Sequence, residues 1–210
     1  MLTPLLQLRD LGCRRGGRDL FTGLNLGLGR GSLLRVTGAN GAGKTSLLRM
    51  VCGLLLPTVG EVLWRGTRIG TRREEFHRQL AYLGHGAAVK DDLSAIENLL
   101  SAARLAGIDP DPKRAAAALA STGLRGHERL AVRSLSQGQR RRVALARLVL
   151  ASDAPLWVLD EPFNALDAAA SAWLAQLIGA HAERGGIVLW SGHQSDLKLT
   201  AAVAQGELAL

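Results

Sequence analysis

Apolar runs of strand length alternate along the chain with segments of helical periodicity. Residues 32–37, 156–160 and 187–191 are short, largely apolar runs, which predicts strands buried in a parallel sheet. Residues 60–66 instead alternate polar and apolar side chains between two glycines, which predicts an antiparallel strand near a sheet edge. The alternation of strands with helices predicts an α/β fold class with a largely parallel sheet.

The middle of the chain is predicted to be helical. Apolar side chains recur at helical spacing over residues 93–106, and a second helix is predicted over residues 113–122, after a cluster of Asp and Pro residues. A third predicted helix covers residues 139–151. These patterns predict a helical subdomain at about residues 91–133, to which the third helix adds.

A phosphate-binding pattern follows the first buried strand. Residues 38–45, here called the phosphate loop, fit G-x-x-x-x-G-K-[ST] at every fixed position. A helix predicted over residues 45–56 follows the loop, so phosphate would lie at a helix N-terminus, where free N–H groups and the helix dipole favour negative charge. Lys44 would reach the β- and γ-phosphates and Thr45 would bind Mg²⁺, which together predict a nucleoside triphosphate site. The predicted nucleotide-binding positions are Gly38, Ala39, Asn40, Gly41, Ala42, Gly43, Lys44, Thr45 and Ser46.

Two carboxylates, Asp160 and Glu161, end the apolar run at residues 156–160 and are here called the acid pair. In a parallel sheet, the C-terminal ends of the strands also carry the phosphate loop. We predict that Asp160 holds Mg²⁺, directly or through water, and that Glu161 orients and deprotonates the attacking water. An exposed turn or a helix cap is the alternative, which the cost of unused carboxylates beside a buried strand disfavours.

Ser136 and Gly138 stand just before the third predicted helix. Their position suits an anion site at a helix N-terminus. A serine in this place also suits a simple helix cap. The pattern alone leaves both interpretations open.

Length and composition are those of one globular unit. With 210 residues, the chain fits a single domain of ordinary size, which we predict over residues 1–210. Hydrophobic residues make up 47% of the chain, and no apolar run approaches the ~18 residues of a membrane-spanning helix. Cys13 and Cys52 are not spaced as a CxxC motif, so we expect no disulfide framework.

The net charge of +8 raises the question of an anionic partner. The longest basic run, formed by Arg140, Arg141 and Arg142, lies on the third predicted helix. No aromatic residues that would stack on bases are interleaved with it. We therefore predict a solvated or membrane-proximal face here, and no nucleic-acid partner.

These motifs together resemble the ATP-binding cassette of ABC transporters. The matching segments are LSQGQ at residues 135–139, LWVLDEP at 156–162 and NALD at 164–167. The resemblance covers essentially the whole chain and implies a P-loop NTPase with a RecA-like core, an N-terminal antiparallel β subdomain and a helical signature subdomain. It also implies a homodimer in which two chains enclose two ATP molecules head to tail, each phosphate loop facing Ser136 and Gly138 of the other chain.

The resemblance also assigns further residues. Lys44, Glu161 and His193 would be catalytic, with His193 at the γ-phosphate, and Asp167 would bridge the two chains. Arg15 falls at the position that stacks on adenine, where most cassettes have an aromatic residue. His85 falls where most cassettes have Gln, and it would bind the water shell of Mg²⁺. The middle residue of Ser136-Gln137-Gly138 also departs from the usual small residue.

The segment YLGH at residues 82–85, with the sequence that follows it, resembles the cassettes of haem export in cytochrome c maturation. This resemblance implies an ATP-hydrolysing translocase subunit that binds integral membrane permease subunits through residues 82–99. Such a subunit is peripheral, at the cytoplasmic face of the bacterial inner membrane. The alternatives are a cassette for another exported substrate (a lipoprotein, lipid or drug), an ATPase of translation or DNA repair, and a non-hydrolysing nucleotide-gated module.

Overall fold

A computed structural model describes residues 4–192 and 204–210 of the chain. In this part of the chain the strands form one antiparallel and one parallel sheet. The antiparallel sheet contains, in spatial order, β2 (Arg18–Leu28), β1 (Leu6–Arg15), β4 (Val59–Trp64) and β5 (Thr67–Arg68). The parallel sheet contains, in spatial order, β6 (Leu80–Leu83), β7 (Leu156–Leu159), β8 (Ile187–Ser191), β3 (Ser32–Thr37) and β9 (Ala204–Ala209). The predicted strands, including an antiparallel one next to a short edge strand, are confirmed.

Helices cover the parallel sheet and form a separate cluster in the middle of the chain. None of the helices in residues 4–192 and 204–210 is long and apolar enough to cross a membrane. The helices are α1 (Lys44–Val51), α2 (Arg73–His77), α3 (Ala95–Leu105), α4 (Pro112–Ser121), α5 (Gln137–Leu150) and α6 (Ala168–Glu183).

The parallel sheet is buried on both faces, which explains why its strands are continuous apolar runs. Successive side chains of a strand point to opposite faces. In β7, Leu156 and Val158 therefore pack into the core shared with α1 and the antiparallel sheet, whereas Trp157 and Leu159 pack into the core shared with α5 and α6. The end of β7, which carries the acid pair, is thus held from both sides.

Helix α5 connects the helical cluster to the sheet. Val143 and Ala146 pack against α3 and α4, and Ala144 and Leu148 pack against the parallel sheet. Residues of α5 thus pack alternately against the helical cluster and against the parallel sheet, as expected for a helix that is buried on two sides. The N-terminus of α5, where Ser136 lies, is therefore positioned by both units.

Helix α1 ends five residues earlier than the predicted helix over residues 45–56. Gly53 adopts a φ of 69°, a left-handed conformation that suits glycine. The N–H groups of Gly53 and Leu54 donate to the carbonyls of Met50 and Arg49, which is the Schellman arrangement that ends a helix. The apolar periodicity continues past this turn and made the predicted helix too long.

A buried histidine predicts acid sensitivity of the fold. His181 on α6 is 3% exposed and stacks on Trp157, with ring centroids 3.9 Å apart. Burial, with a contribution from the charge of Arg184, lowers the pKa of His181 from 6.5 to about 4. The unfolded chain therefore takes up this proton first as the pH falls, so the free energy of unfolding should decrease from pH 6.5 towards pH 4.

Because His181 is protonated more readily in the unfolded chain, we expect it to lower the free energy of unfolding by roughly 2 kcal/mol between pH 7.5 and pH 5. Urea unfolding at the two pH values measures the loss in the wild type and in His181→Phe, which keeps an aromatic ring against Trp157. The variant should lose less stability than the wild type over this interval. An equal loss in both proteins would show that His181 is not responsible.

Candidate functional site

The phosphate loop connects β3 to α1 beneath the antiparallel sheet. Gly43 is the N-cap of α1 with a φ of 112°, and a Cβ at this position would lie 3.2 Å from atoms of Leu20 and Phe21. A Cβ on Gly38 would lie 2.8 Å from the carbonyl oxygen of Leu210. Close neighbours and positive φ angles, 138° at Gly38 and 112° at Gly43, therefore favour glycine at both ends of the loop.

Helix α1 begins without a side-chain cap. By contrast, α3, α4, α5 and α6 each begin with a serine or aspartate whose oxygen accepts a hydrogen bond from the first turn. The first N–H groups of a helix have no partner within the helix, so those of α1 are available to an anion. This arrangement fits a phosphate group.

Lys44 lies over the phosphate loop. Its Nζ donates to the carbonyl oxygens of Gly38, at 2.7 Å, and Ala39, at 3.0 Å. The side chain is buried, so its positive charge is concentrated within the loop. The loop therefore combines a fixed cation with free N–H groups, as the binding of a polyphosphate requires.

Asp160 and Thr45 meet between β7 and α1. The hydroxyl of Thr45 donates to Oδ2 of Asp160 at 2.9 Å, and the hydroxyl of Ser191 lies 2.6 Å from Oδ1. Asp160 is 1% exposed, and such a buried carboxylate needs these partners. One carboxylate and one hydroxyl suit Mg²⁺, which takes few protein ligands when phosphates supply others. Within residues 4–192 and 204–210, no group of three or more His, Cys, Asp or Glu side chains forms a metal site.

Glu161 is held through its backbone and its side chain. Its φ of 49° is left-handed, a conformation uncommon for residues other than glycine. Its N–H donates to the hydroxyl of Ser191 at 2.9 Å. Its carboxylate contacts Nδ1 of His85 at 3.0 Å and accepts a hydrogen bond from Asn164. The side chain remains 22% exposed, so water can reach the carboxylate.

His85 contacts Glu161 in the structure. The contact with the water shell of Mg²⁺ that the resemblance implies for His85 stays a prediction. His85 follows β6, which lies directly beside β7 in the sheet. Residues after neighbouring parallel strands meet at the same sheet edge, and this placement brings His85 to the acid pair.

Arg141 does not contribute to the solvated or membrane-proximal face that the sequence predicts for the basic run at residues 140–142. Arg141 is 5% exposed, and its guanidinium donates to backbone carbonyls at the ends of β6 and β7. Burial lowers the pKa of Arg141, and the nearby charges of Asp160 and Glu161 oppose this effect. The middle arginine of the run therefore faces the sheet, whereas Arg140 and Arg142 remain partly exposed.

Ser136 and Gly138 lie at the N-terminus of α5, which begins two residues earlier than predicted. The hydroxyl of Ser136 accepts a hydrogen bond from the N–H of Gln139, and the Gln139 side chain accepts one from the N–H of Ser136. This capping box extends the helix to Gln137. Ser136 and Gln137 are exposed. No hydrogen bond within the described residues joins this turn to the phosphate loop of the same chain.

Asp167 lies at the surface as the N-cap of α6. Its Oδ1 accepts a hydrogen bond from the N–H of Ala170 at 2.8 Å, and its Oδ2 contacts Arg142. The Ala170 N–H, followed by the charge of Arg142, lowers the pKa of Asp167. This carboxylate therefore links α6 to α5 within one chain, next to the exposed Ser136 turn.

The predicted adenine position, Arg15, is exposed at the hairpin between β1 and β2. Arg18, paired with Arg15 across this hairpin, approaches the phosphate loop. Its Nη2 is 3.7 Å from the place where a Cβ on Gly41 would lie. His193, the predicted γ-phosphate contact, lies outside the described residues.

Sequence reasoning missed four residues around this site: Arg18, Arg141, Asn164 and Ser191. For Ser191 a signal existed, since a serine that ends a buried apolar strand needs a hydrogen-bond partner. Asn164 stands three residues after Glu161, within local reach. For the two arginines the pattern offers no such signal.

Comparisons with known proteins agree with the sequence resemblance. A model of the ABC transporter family matches residues 21–164. The "Cytochrome c biogenesis ATP-binding export protein CcmA" of Dechloromonas aromatica is 52% identical over 190 residues, which cover 90% of this chain and 93% of that protein. The protein of the same name from Aromatoleum aromaticum is 52% identical over 192 residues, covering 91% of this chain and 90% of that protein.

Solved structures show the same fold. A putative ABC transporter ATP-binding protein from Pyrococcus furiosus superposes with a TM-score of 0.81 at 26% identity. The superposition covers 97% of this chain and 96% of that chain. The predicted fold class is confirmed.

Proposed function

The chain belongs to the ABC transporter family, and from this premise we propose that it binds and hydrolyses ATP to drive an export complex for haem in cytochrome c biogenesis. The observation that carries ATP hydrolysis is the meeting of an uncapped α1, Lys44, and the acid pair at one sheet edge. The printed names of the relatives support export in cytochrome c biogenesis. Haem as the exported group follows from the resemblance at residues 82–85.

The residues divide the chemistry between them. The N–H groups at the start of α1 and Lys44 would bind the phosphates of ATP, while Thr45 and Asp160 would hold Mg²⁺, which neutralises phosphate charge when bound. Glu161 would accept a proton from the attacking water, because its carboxylate is partly exposed and held by His85 and Asn164.

A second copy of the chain would complete each site. Ser136 and Gly138 present a helix N-terminus at the surface, and no hydrogen bond among the described residues joins it to the phosphate loop of the same chain. The N-terminus of α5 would therefore bind the triphosphate held by the partner. This arrangement supports a head-to-tail homodimer.

Membrane subunits would bind at the cleft between β6 and the helical cluster. A cavity of about 230 Å³ lies there, between Tyr82 on β6, Ala103 on α3 and Arg147 on α5. The resemblance assigns residues 82–99 to contact with integral permease subunits, and Tyr82 and Leu83 of this segment line the cavity. The complex would place the chain at the cytoplasmic face of the inner membrane.

Deletion of the gene tests the export role. We expect a deletion strain to lose covalently haem-bound periplasmic cytochrome c, and the wild-type gene to restore it. A gene carrying Glu161→Gln should produce the protein at normal level without restoring holocytochrome, because turnover is required. Normal holocytochrome in the deletion strain would overturn the haem assignment, and ATP hydrolysis by the purified chain would still support the cassette.

A further inference from the structure

We propose that Arg141 is a positioning residue for hydrolysis, which holds the backbone of Glu161 and thereby aims its carboxylate. The inference rests on the proposed ATPase function and extends it to a residue outside the phosphate loop and the acid pair. Arg141 contacts neither carboxylate side chain by a hydrogen bond among the described residues, so it would act through the main chain.

The guanidinium of Arg141 joins the ends of two neighbouring strands. Nη1 donates to the carbonyls of Gly84, at 3.1 Å, and His85, at 3.2 Å, directly after β6. Nη2 donates to the carbonyls of Asp160, at 3.1 Å, and Glu161, at 2.8 Å, directly after β7. One side chain thus binds four carbonyls, two consecutive ones after each strand, at the sheet edge where His85 meets Glu161.

Glu161 needs such support because its backbone is left-handed, with a φ of 49°. Side chains hold the residue on both sides, since Ser191 accepts from its N–H and Arg141 donates to its carbonyl. Strained backbone conformations persist only where the surroundings fix them. Without the guanidinium, the peptide after Glu161 loses a partner, and the carboxylate is free to turn away from its position.

Arginine suits this role better than lysine does. Its planar guanidinium presents several donors in a fixed geometry, whereas an ammonium group is a single flexible point charge. The side chain is 5% exposed and begins on α5, five residues after Ser136. Arg141 therefore ties the helix that faces the partner's ATP to the carboxylate that acts on ATP in its own chain.

A double-mutant cycle with Glu161 tests the proposal in the full-length chain. Arg141→Met should lower kcat by on the order of 10- to 100-fold, because this is the loss expected when a reacting group is misplaced by about an ångström. The KM for ATP should change by less than about 2-fold. Arg141→Lys should recover part of kcat. In a Glu161→Gln chain, Arg141→Met should cost less than about 3-fold, because the carboxylate that it aims is already absent.

Arg104→Met is the control. Arg104 lies in the last turn of α3, within the helical cluster, and its side chain is exposed. It should keep a kcat close to that of the wild type. Circular dichroism and the ATP dissociation constant establish folding, and the cycle is run with Arg141→Lys if Arg141→Met does not fold.

The outcomes are separable. Equal losses from Arg141→Met with and without Glu161, or an equal loss from the Arg104→Met control, would overturn the positioning role. A wild-type chain that dimerises with ATP without hydrolysing it would contradict the proposed function itself. Hydrolysis by the wild type, together with a non-additive cycle, supports both the proposed function and the positioning role of Arg141.

Discussion

Replacing Glu161 with Gln is expected to reduce ATP turnover by on the order of 100-fold or more, because the amide cannot accept a proton from the attacking water. The amide has the size of the carboxylate and keeps an oxygen that accepts a hydrogen bond from Asn164, a contact that Glu161 makes in the structure. The phosphate loop is unchanged, so ATP should still bind. ATP-dependent dimers should therefore form and persist. Phosphate release at saturating ATP and Mg²⁺, together with the mass of the chain in the presence of ATP, measures both effects.

A carboxylate elsewhere on the surface provides the control. Glu75 on α2 pairs with Arg72 at the surface, and Glu75→Gln should leave turnover unchanged. Turnover of Glu161→Gln at the wild-type rate would refute the role of Glu161 as a base. A loss of ATP binding in the same variant would instead indicate that Glu161 supports the structure of the site.

The fold is predictable from the sequence where burial is two-sided. In β8, Ile187 and Leu189 pack on one face of the sheet while Val188 and Trp190 pack on the other. Because both faces are buried, the sequence of this strand is a continuous apolar run. Helix ends are less predictable, because local hydrogen bonds decide them. The turn at Gly53 ends α1 although the apolar periodicity continues.

The candidate site likewise has a part that the sequence predicts and a part that it does not. The phosphate loop and the acid pair are predictable because each is a contiguous motif whose chemistry is local in sequence. The contacts of Arg141 and Ser191 are not, since they join segments that only the sheet order brings together, such as residues 84–85 and 160–161. A basic run on a helix indicates charge but not which arginine faces the sheet, and the strand order supplies that information.

Mixing two inactive variants should restore hydrolysis if each site is shared between two chains. Lys44→Ala removes the cation from the phosphate loop and should abolish productive ATP binding there. Ser136→Asp keeps a side-chain oxygen that caps α5, since Asp caps helices about as well as Ser, but it places a negative charge where the partner's triphosphate would lie. Each variant alone should form dimers in which both sites are defective, and turnover should fall by about 10-fold or more.

In a mixed dimer, one site combines an intact phosphate loop from the Ser136→Asp chain with an intact Ser136 turn from the Lys44→Ala chain. The other site carries both defects. Random pairing makes about half of the dimers mixed, so independent sites should recover roughly one quarter of wild-type turnover. Ser136→Asn, which caps without adding charge, is the control and should retain more turnover than Ser136→Asp. If both halves of the site came from one chain, the mixture would be no more active than its components. Because Ser136 lies exposed at the N-terminus of α5, five residues before Arg141, recovery in the mixture would place that exposed turn against the partner's nucleotide.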